Sequence, residues 1–138
     1  MGLGSSIVNL SSIAGVRAQS TRWTYGSTKG AVKSLSKLMA LDLSKQGIRV
    51  NSVAPGWIWS PEMAKASPDG TAEAMSYANE YQMLDRFGRT SEVAAAIVFL
   101  CSRDAAFITG TNMMVDGGYS AMGPERKGSA AAFAGCST

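Results

Sequence analysis

Three side chains near the start of the sequence have the types and spacing needed for alcohol and ketone chemistry. Tyr25 and Lys29 are four residues apart, which on one helix places both side chains on the same face, about 6 Å apart along the axis. A nearby ammonium favours the phenolate form of a tyrosine, and a helix N-terminus acts in the same direction. Ser12 can donate a hydrogen bond to a carbonyl oxygen that Tyr25 protonates as hydride arrives. The three residues together suit the interconversion of ketones and alcohols.

Each of these residues alone is a weak signal. A tyrosine four residues before a lysine occurs by chance in many helices, where it amounts to an exposed cation beside a half-buried ring. Serine commonly begins a loop, so Ser12 has the same alternative explanation. The sequence contains no histidine, which excludes a histidine base and the usual zinc ligand sets. We therefore predict no metal site, and proton transfer must use Tyr, Lys or carboxylate groups.

A strand, a helix and a second strand are needed to position these residues. The β-rich run Ser6–Leu10 predicts a strand, and residues 11–24 predict a loop. Apolar residues at steps of three and four predict an amphipathic helix from Tyr25 to about Gln46, with Gly47 as its C-terminal stop. The apolar positions of this helix are Val32, Leu35, Met39 and Leu43.

The rest of the chain continues the alternation of strands and helices. Residues 48–54 predict a second strand that stops at Pro55-Gly56, and 61–83 predict short helices. One more helix and the strand Asn112–Val115 follow, so we expect an α/β fold with right-handed crossovers. The last helix is expected to carry Val93, Ile97, Leu100 and Cys101 on its apolar face, with Thr90 or Ser91 as its cap.

Composition bounds the class of protein. A chain of 138 residues with 46% hydrophobic and 17% charged residues suits one globular domain or part of one. The net charge of +3 is scattered along the chain, so we expect no nucleic-acid partner. We find no apolar stretch of membrane-spanning length and no secretory signal, and we therefore expect a cytoplasmic protein. Cys101 and Cys136 suggest neither a disulfide nor a metal site.

Four motifs occur in one order along the chain. They are NLSS at Asn9–Ser12, YGSTK at Tyr25–Lys29, RVNSVAPG at Arg49–Gly56 and ITGTNMMVDGG at Ile108–Gly118. With these motifs the sequence resembles the short-chain dehydrogenase/reductase family from about Ser5 to Gly118. The resemblance implies a partial Rossmann-like, doubly wound parallel sheet, of which this chain supplies the three C-terminal strands with flanking helices. It assigns residues 1–122 to the C-terminal part of that domain, and we expect 123–138 to be a flexible tail.

The resemblance also implies roles for individual residues. Ser12, Tyr25 and Lys29 match the family's catalytic residues, and Lys29 matches the lysine that also holds the nicotinamide ribose. The segment after the Pro-Gly pair matches the one that lies against the nicotinamide, with Ser60 in place of the usual Thr. The implied cofactor is NAD or NADP, and its predicted contacts are Tyr25, Lys29, Pro55, Gly56, Ile58 and Ser60. The predicted substrate contacts are Ser12, Trp57 and Trp59.

One family motif is absent from the printed sequence. The glycine-rich TGxxxGxG turn does not occur, because Gly2 and Gly4 neither follow a strand nor open a helix. The sequence therefore does not distinguish NAD from NADP. A first strand with Ile7, Val8 and Leu10 would also have an exposed hydrophobic edge, so we expect the chain to be cut from a longer fold, poorly soluble or self-associating alone.

Two functions follow from the sequence. The first is an oxidoreductase that transfers hydride between NAD(P) and a secondary alcohol or ketone, as a homo-dimer or homo-tetramer by resemblance. The alternative is a truncated, catalytically incompetent fragment that acts at most as a binding or association module.

The sequence also suggests an apolar substrate pocket. Aromatic and thioether side chains on and after the nicotinamide-side loop favour a bulky or cyclic substrate, with Trp23 as a further lining residue. The alternatives are that these side chains pack short helices onto the sheet, or that Arg17 and Gln19 recognise a polar substituent. The apolar set is Trp57, Trp59, Met63, Met75, Tyr77, Tyr81 and Met83.

Overall fold

Three parallel strands form the central sheet of the computed structural model, which describes residues 4–66, 71–128 and 135. A second sheet of two short strands lies beside it. In chain order the elements are β1 (Ser6–Leu10), α1 (Trp23–Leu43), β2 (Arg49–Pro55), β3 (Ile58–Trp59), α2 (Pro61–Ala66), α3 (Thr71–Tyr81), β4 (Gly88–Arg89), α4 (Thr90–Cys101) and β5 (Asn112–Val115).

The main sheet has the order β1-β2-β5, with β2 in the centre. Both pairings are parallel, and Ile7 faces Val50 while Val53 faces Met113 in the register. The interior of β2 is buried from Val50 to Ala54, as is typical of a parallel strand that is covered on both faces. The predicted strands and the parallel βαβ unit are confirmed, with β2 shifted by one residue.

Helices cover both faces of this sheet. Val8 packs with Val53 and Leu100 in the core beneath α4, whereas the next residue, Asn9, donates from Nδ2 to Ser36 Oγ on α1 at 3.0 Å. Because successive strand residues point to opposite faces, α1 and α4 lie on opposite sides. This arrangement confirms the α/β, Rossmann-like class.

The helix α1 begins two residues before its predicted start and ends three residues early. A 3-10 turn over Ser44–Gln46 continues it, and Gly47 has the left-handed φ of 70° that ends such a helix. The predicted apolar face was wrong at Leu35, which is 51% exposed. Small residues face the sheet instead, since Ser36 and Ala40 are the buried positions.

The segment between β2 and α4 departs most from prediction. Short helices α2 and α3 fall within residues 61–83 as expected, but the parallel pair of β3 and β4 was not predicted. The predicted cap of α4 was also wrong. Because β4 runs directly into the helix, Arg89 is the N-cap, and its N–H donates to Glu92 Oε2 at 2.7 Å.

Glu92 also accepts hydrogen bonds from the Arg86 guanidinium. The bond from Arg86, reinforced by the backbone N–H of Arg89, lowers the pKa of Glu92 to about 2. At the other end of α4, Cys101 is exposed rather than on the apolar face, and Leu100 is the buried residue. The two side chains point about 100° apart, and of the two only Leu100 points into the core.

The described part of the C-terminal segment contacts α3. Arg126 forms an ion pair with Glu80 and lies 4.4 Å from the ring centroid of Tyr81. Lys127 donates to the Asn79 carbonyl at 2.8 Å. The predicted tail from 123 onwards falls partly outside the described residues, and Cys136 lies there. Among the helices that the structure describes, none is both long and apolar enough to cross a bilayer.

Candidate active site

Lys29 is held between the ring of Tyr25 and the end of β1. Its Nζ lies 5.8 Å from the Tyr25 ring centroid and donates to the Leu10 carbonyl at 2.9 Å. Tyr25 is 43% exposed, so its phenol remains open to a ligand. The contact confirms that the two residues share one face of α1.

Ser11 and Ser12 lie where β1 ends. The Ser11 N–H donates to the Val53 carbonyl at 2.8 Å, and Ser11 Oγ donates to the Lys29 carbonyl at 2.8 Å. Ser12 is buried, and its Oγ accepts from the Ala14 N–H at 3.2 Å. Accepting this bond leaves the hydroxyl proton of Ser12 available as a donor. Ser11 was not singled out by the sequence, although it connects the Ser12 segment to the backbone of α1.

The turn that follows Ser12 packs directly on the backbone of α1. A Cβ atom at Gly15 would lie 2.6 Å from the backbone N of Gly30 and from the carbonyl carbon of Lys29. A Cβ at Gly26 would lie 2.9 Å from the Ala14 carbonyl oxygen. Only glycine permits such an approach. These contacts bring the Ser12 segment onto the helix that carries Tyr25 and Lys29.

Pro55 and Gly56 lie at the same edge of the sheet, at the carboxyl end of β2. The Gly56 N–H donates to the Val115 carbonyl at 2.9 Å, and a Cβ at Gly56 would lie 2.7 Å from Asp116 Cα. Open α/β sheets bind ligands beyond the carboxyl ends of their strands. The structure therefore places both predicted cofactor contacts at the edge where Ser12 lies.

The next three predicted residues have mainly structural contacts. Ile58 packs against the core beneath α4. Trp59 meets Phe87 edge to face, with 5.5 Å between ring centroids, which supports the packing alternative for Trp59. Ser60 Oγ accepts from the Met63 N–H at 3.2 Å, at the start of α2. Their predicted roles toward cofactor and substrate stay predictions.

Other predicted pocket residues are dispersed. Met63 packs, like Trp57 and Trp59, on the buried pair Ala78 and Phe87, whereas Met75 and Met83 are both exposed. Trp23 is exposed, and Arg17 donates from Nε to the Ser120 carbonyl at 3.0 Å. The side chain of Tyr77 lies outside the described residues.

Arg22, the residue just before α1, is a further candidate that the sequence motifs did not indicate. Its guanidinium carbon lies 5.7 Å from the Tyr25 ring centroid and 5.6 Å from that of Trp57. The spacing of three residues between Arg22 and Tyr25 is a signal for the first contact. The second contact joins residues far apart in sequence. Trp57, a predicted substrate contact, and Tyr25 thus contact the same cation.

Comparisons with known proteins find relatives of the chain in sequence and in fold. A family model described as enoyl-(acyl carrier protein) reductase matches residues 1–120. L-fucose dehydrogenase of Bos taurus is 46% identical over 116 residues, which cover 82% of this chain and 42% of that protein. Two solved structures are also similar over their corresponding parts.

L-sorbose reductase from Gluconobacter frateurii, complexed with NADPH and L-sorbose, has a TM-score of 0.80 at 33% identity, covering 85% of this chain and 48% of that chain. A 4-hydroxyisoleucine dehydrogenase mutant complexed with NADH and succinate has a TM-score of 0.79 at 37% identity, covering 86% of this chain and 48% of that chain. The chain thus spans less than half the length of each of these relatives. By its motifs, its sheet and the family match, the chain belongs to the short-chain dehydrogenase/reductase family.

Proposed function

We propose that the polypeptide containing this chain is an oxidoreductase that transfers hydride between NAD(P) and a secondary alcohol or ketone. The observation that carries this proposal is the position of the Lys29 ammonium, between the Tyr25 ring and the Leu10 carbonyl. This cation lies beside a phenol on the helix against which the Ser12 turn is packed. These contacts support a shared catalytic role for Ser12, Tyr25 and Lys29.

In ketone reduction, Ser12 donates a hydrogen bond to the substrate carbonyl oxygen. The nicotinamide, when bound, supplies the hydride that forms the new bond to the carbonyl carbon. Tyr25 gives its proton to the oxygen, and its phenolate regains a proton from solvent. Lys29 stabilises that phenolate by its charge. In alcohol oxidation each transfer runs in reverse, so Tyr25 accepts the proton of the substrate hydroxyl.

The residues described fit the nicotinamide end of the cofactor. The bond to Leu10 uses one of the three ammonium donors of Lys29, so the same cation has donors for ribose hydroxyls. Pro55 and Gly56 lie at the same sheet edge. The relatives were solved with NADH and with NADPH, and we propose NAD or NADP here. The sequence lacks the glycine-rich turn that grips the pyrophosphate.

For the substrate, we propose a small alcohol or ketone that lies between Ser12, Tyr25 and Trp57. The named relatives include L-fucose dehydrogenase and L-sorbose reductase, which supports a substrate bearing additional hydroxyl groups. The packing of Trp59 against Phe87 and of Met63 on the same cluster weakens the case for a large apolar pocket.

We also propose that the complete protein is a homo-dimer or homo-tetramer. The helix α1 supports this proposal because Leu35, Leu38 and Leu41 are 51%, 60% and 73% exposed. Apolar side chains exposed in a group favour association. Size-exclusion chromatography with light scattering tests the proposal, and a strictly monomeric protein would contradict it.

The alternative is a chain that binds or associates without catalysis. One observation favours it for the 138 residues alone: within the described sheet, β1 pairs with β2 on one side and has no strand on its other edge. Such an edge is a template for pairing with another chain.

The deciding experiment uses two proteins, the 138-residue chain and the longest encoded polypeptide that contains it. NAD(P)H absorbance is followed with fucose, sorbose and simple secondary alcohols, and cofactor binding is titrated by NADH and NADPH fluorescence. We expect turnover by the longer polypeptide, and its loss in Tyr25→Phe. Cofactor binding without turnover of any alcohol or ketone would reject the proposed reaction. An absence of both would favour the association module.

A further inference from the structure

Arg22 lies beside Tyr25, and its guanidinium donors bond to none of the residues that the structure describes. Its guanidinium carbon is 5.7 Å from the Tyr25 ring centroid and 5.6 Å from that of Trp57. The side chain makes no hydrogen bond or ion pair with any residue that the structure describes; its backbone N–H alone donates, to the Gln19 carbonyl at 3.3 Å. A guanidinium carries five N–H donors.

The two rings explain why the cation lies there but not what its donors bind. An aromatic face attracts a cation through its quadrupole, and two faces fix the side chain of an exposed arginine beside Tyr25. The rings accept none of the in-plane hydrogen bonds for which a guanidinium is suited. The donors are therefore held in place and available to a ligand.

The neighbouring cations are already bonded. Lys29 donates to the Leu10 carbonyl, and Arg17 donates to the Ser120 carbonyl. Arg22 thus differs from both, because its charge is positioned at Tyr25 by rings rather than by a hydrogen-bond acceptor.

We infer that Arg22 is a specificity-determining residue, whose guanidinium donates to an oxygen-bearing substituent next to the carbinol that reacts at Tyr25. This inference rests on the proposed function. The substituent is a hydroxyl or a carboxylate, both of which accept the hydrogen bonds that a guanidinium donates. A group about one or two bonds from the carbinol lies within reach, given hydrogen bonds of about 3 Å at each end. Trp57 supplies an apolar surface beside the cation.

The test compares Arg22→Gln with wild type on three probes of similar size. They are 2-butanol, which has no second oxygen, 2,3-butanediol, which adds a hydroxyl, and 3-hydroxybutyrate, which adds a carboxylate. The longest encoded polypeptide is used. Arg103→Gln is the matched control, since Arg103 is an exposed arginine on the 3-10 turn after α4, away from the candidate site.

We expect Arg22→Gln to raise KM by about tenfold for the preferred oxygenated probe, the scale of one hydrogen bond to a charged group. The kcat for that probe should stay within about twofold of the wild-type value, and so should kcat and KM for 2-butanol. Arg22→Lys should rescue the hydroxy acid partly, since it keeps the charge but not the fork. The oxygenated probe whose KM rises more in Arg22→Gln identifies the substituent as a hydroxyl or a carboxylate. An equal change for all three probes, or none, overturns the inference.

A binding measurement tests the inference separately from the proposed function. If the wild type turns over none of the probes, each oxygenated probe is titrated against intrinsic fluorescence, which includes Trp57. A saturable change that Arg22→Gln loses and Arg103→Gln keeps would support Arg22 as the binding residue even though the reaction assignment had failed. No saturable change in the wild type would overturn the inference as well.

Discussion

Two regions of the molecule hold their functional residues by different forces. In the first, which runs from β1 through α1 to β2, main-chain contacts dominate: Ser11 and Lys29 donate to main-chain carbonyls, Ser12 Oγ accepts from a main-chain N–H, and glycines let the backbones touch. In the second, residues 57–89, aromatic packing around Phe87 and the pair of Arg86 with Glu92 provide the order. This difference leads to the hypothesis that the first region carries the proposed reaction and the second selects its substrates.

The strongest test of the first region is Tyr25→Phe. We expect turnover to fall by at least about 100-fold, because the change deletes the transferred proton but keeps the ring. NADH binding should be largely unchanged. Tyr119→Phe is the matched control and should keep normal rates. If Tyr25→Phe turns over substrate at a rate comparable to wild type, the first region does not carry the reaction.

Lys29→Ala should lower both turnover and cofactor affinity, each by about tenfold or more, because it removes a charge beside the phenol and a donor for the ribose. Steady-state kinetics and NADH titration measure the two effects. Lys37→Ala, on an exposed position of the same helix, should change neither. If Lys29→Ala lowers only the melting temperature, the lysine is structural.

Gly15→Ala tests the backbone contact itself. Its Cβ would lie 2.6 Å from the backbone of α1, so we expect a loss of about 1–3 kcal/mol in unfolding free energy together with reduced turnover. Gly30→Ala is the matched control, since its Cβ would meet only ordinary contacts at 3.6 Å. In a helix, alanine is also more stable than glycine by about 1 kcal/mol. Equal melting temperatures for the two variants would contradict the close packing.

Phe87→Leu tests the second region. It removes the edge-to-face contact with Trp59, worth about 0.5–1.5 kcal/mol. We expect faster proteolysis within residues 57–89 and altered KM values, with kcat for 2-butanol changed by less than about twofold. A kcat loss as large as that of Lys29→Ala would mean that the two regions are not separable.

The smallest expected effect is on acid stability. Glu92 has an ordinary pKa of 4.5 and a folded pKa of about 2, lowered mainly by its bond to Arg86. A lowered folded pKa adds stability above the unfolded value, and that stability disappears as pH falls from about 4.5 to about 2. Arg86→Gln should make the melting temperature depend less on pH between about 4.5 and about 2. If the slope of melting temperature against pH is unchanged, the pair of Arg86 and Glu92 makes no measurable contribution to stability.

The sequence predicts the first region well and the second poorly, for physical reasons. A β-rich run and apolar residues at steps of three and four are local signals, and they predict β1 and α1 closely. The pairing of Ile58 with Gly88 joins two-residue strands far apart in the chain, too short to show any period. The contact of Arg22 with Trp57 is likewise made only in the folded chain.

Two predictions, for α1 and for the start of α4, were wrong for related reasons. Leu35 has the period of a core position, but small residues bring the helix close to the sheet on another face. The cap of α4 follows from where β4 ends rather than from residue type. Lys29 contacts the Tyr25 ring and the end of β1, and the Ser12 turn packs on α1. The catalytic roles of these three residues stay predictions.

The close approach of Gly15 to α1 has a consequence for how this protein can be changed. Where two backbones touch, no side-chain rotamer can absorb an error, so almost every substitution at that contact alters the alignment of Ser12 with Tyr25. Around Trp57 and Phe87 the contacts are made by side chains, which can repack. A mutational library confined to residues 57–89 should therefore yield many folded variants with new substrate ranges, whereas a library at Gly15 and Gly26 should yield very few active ones.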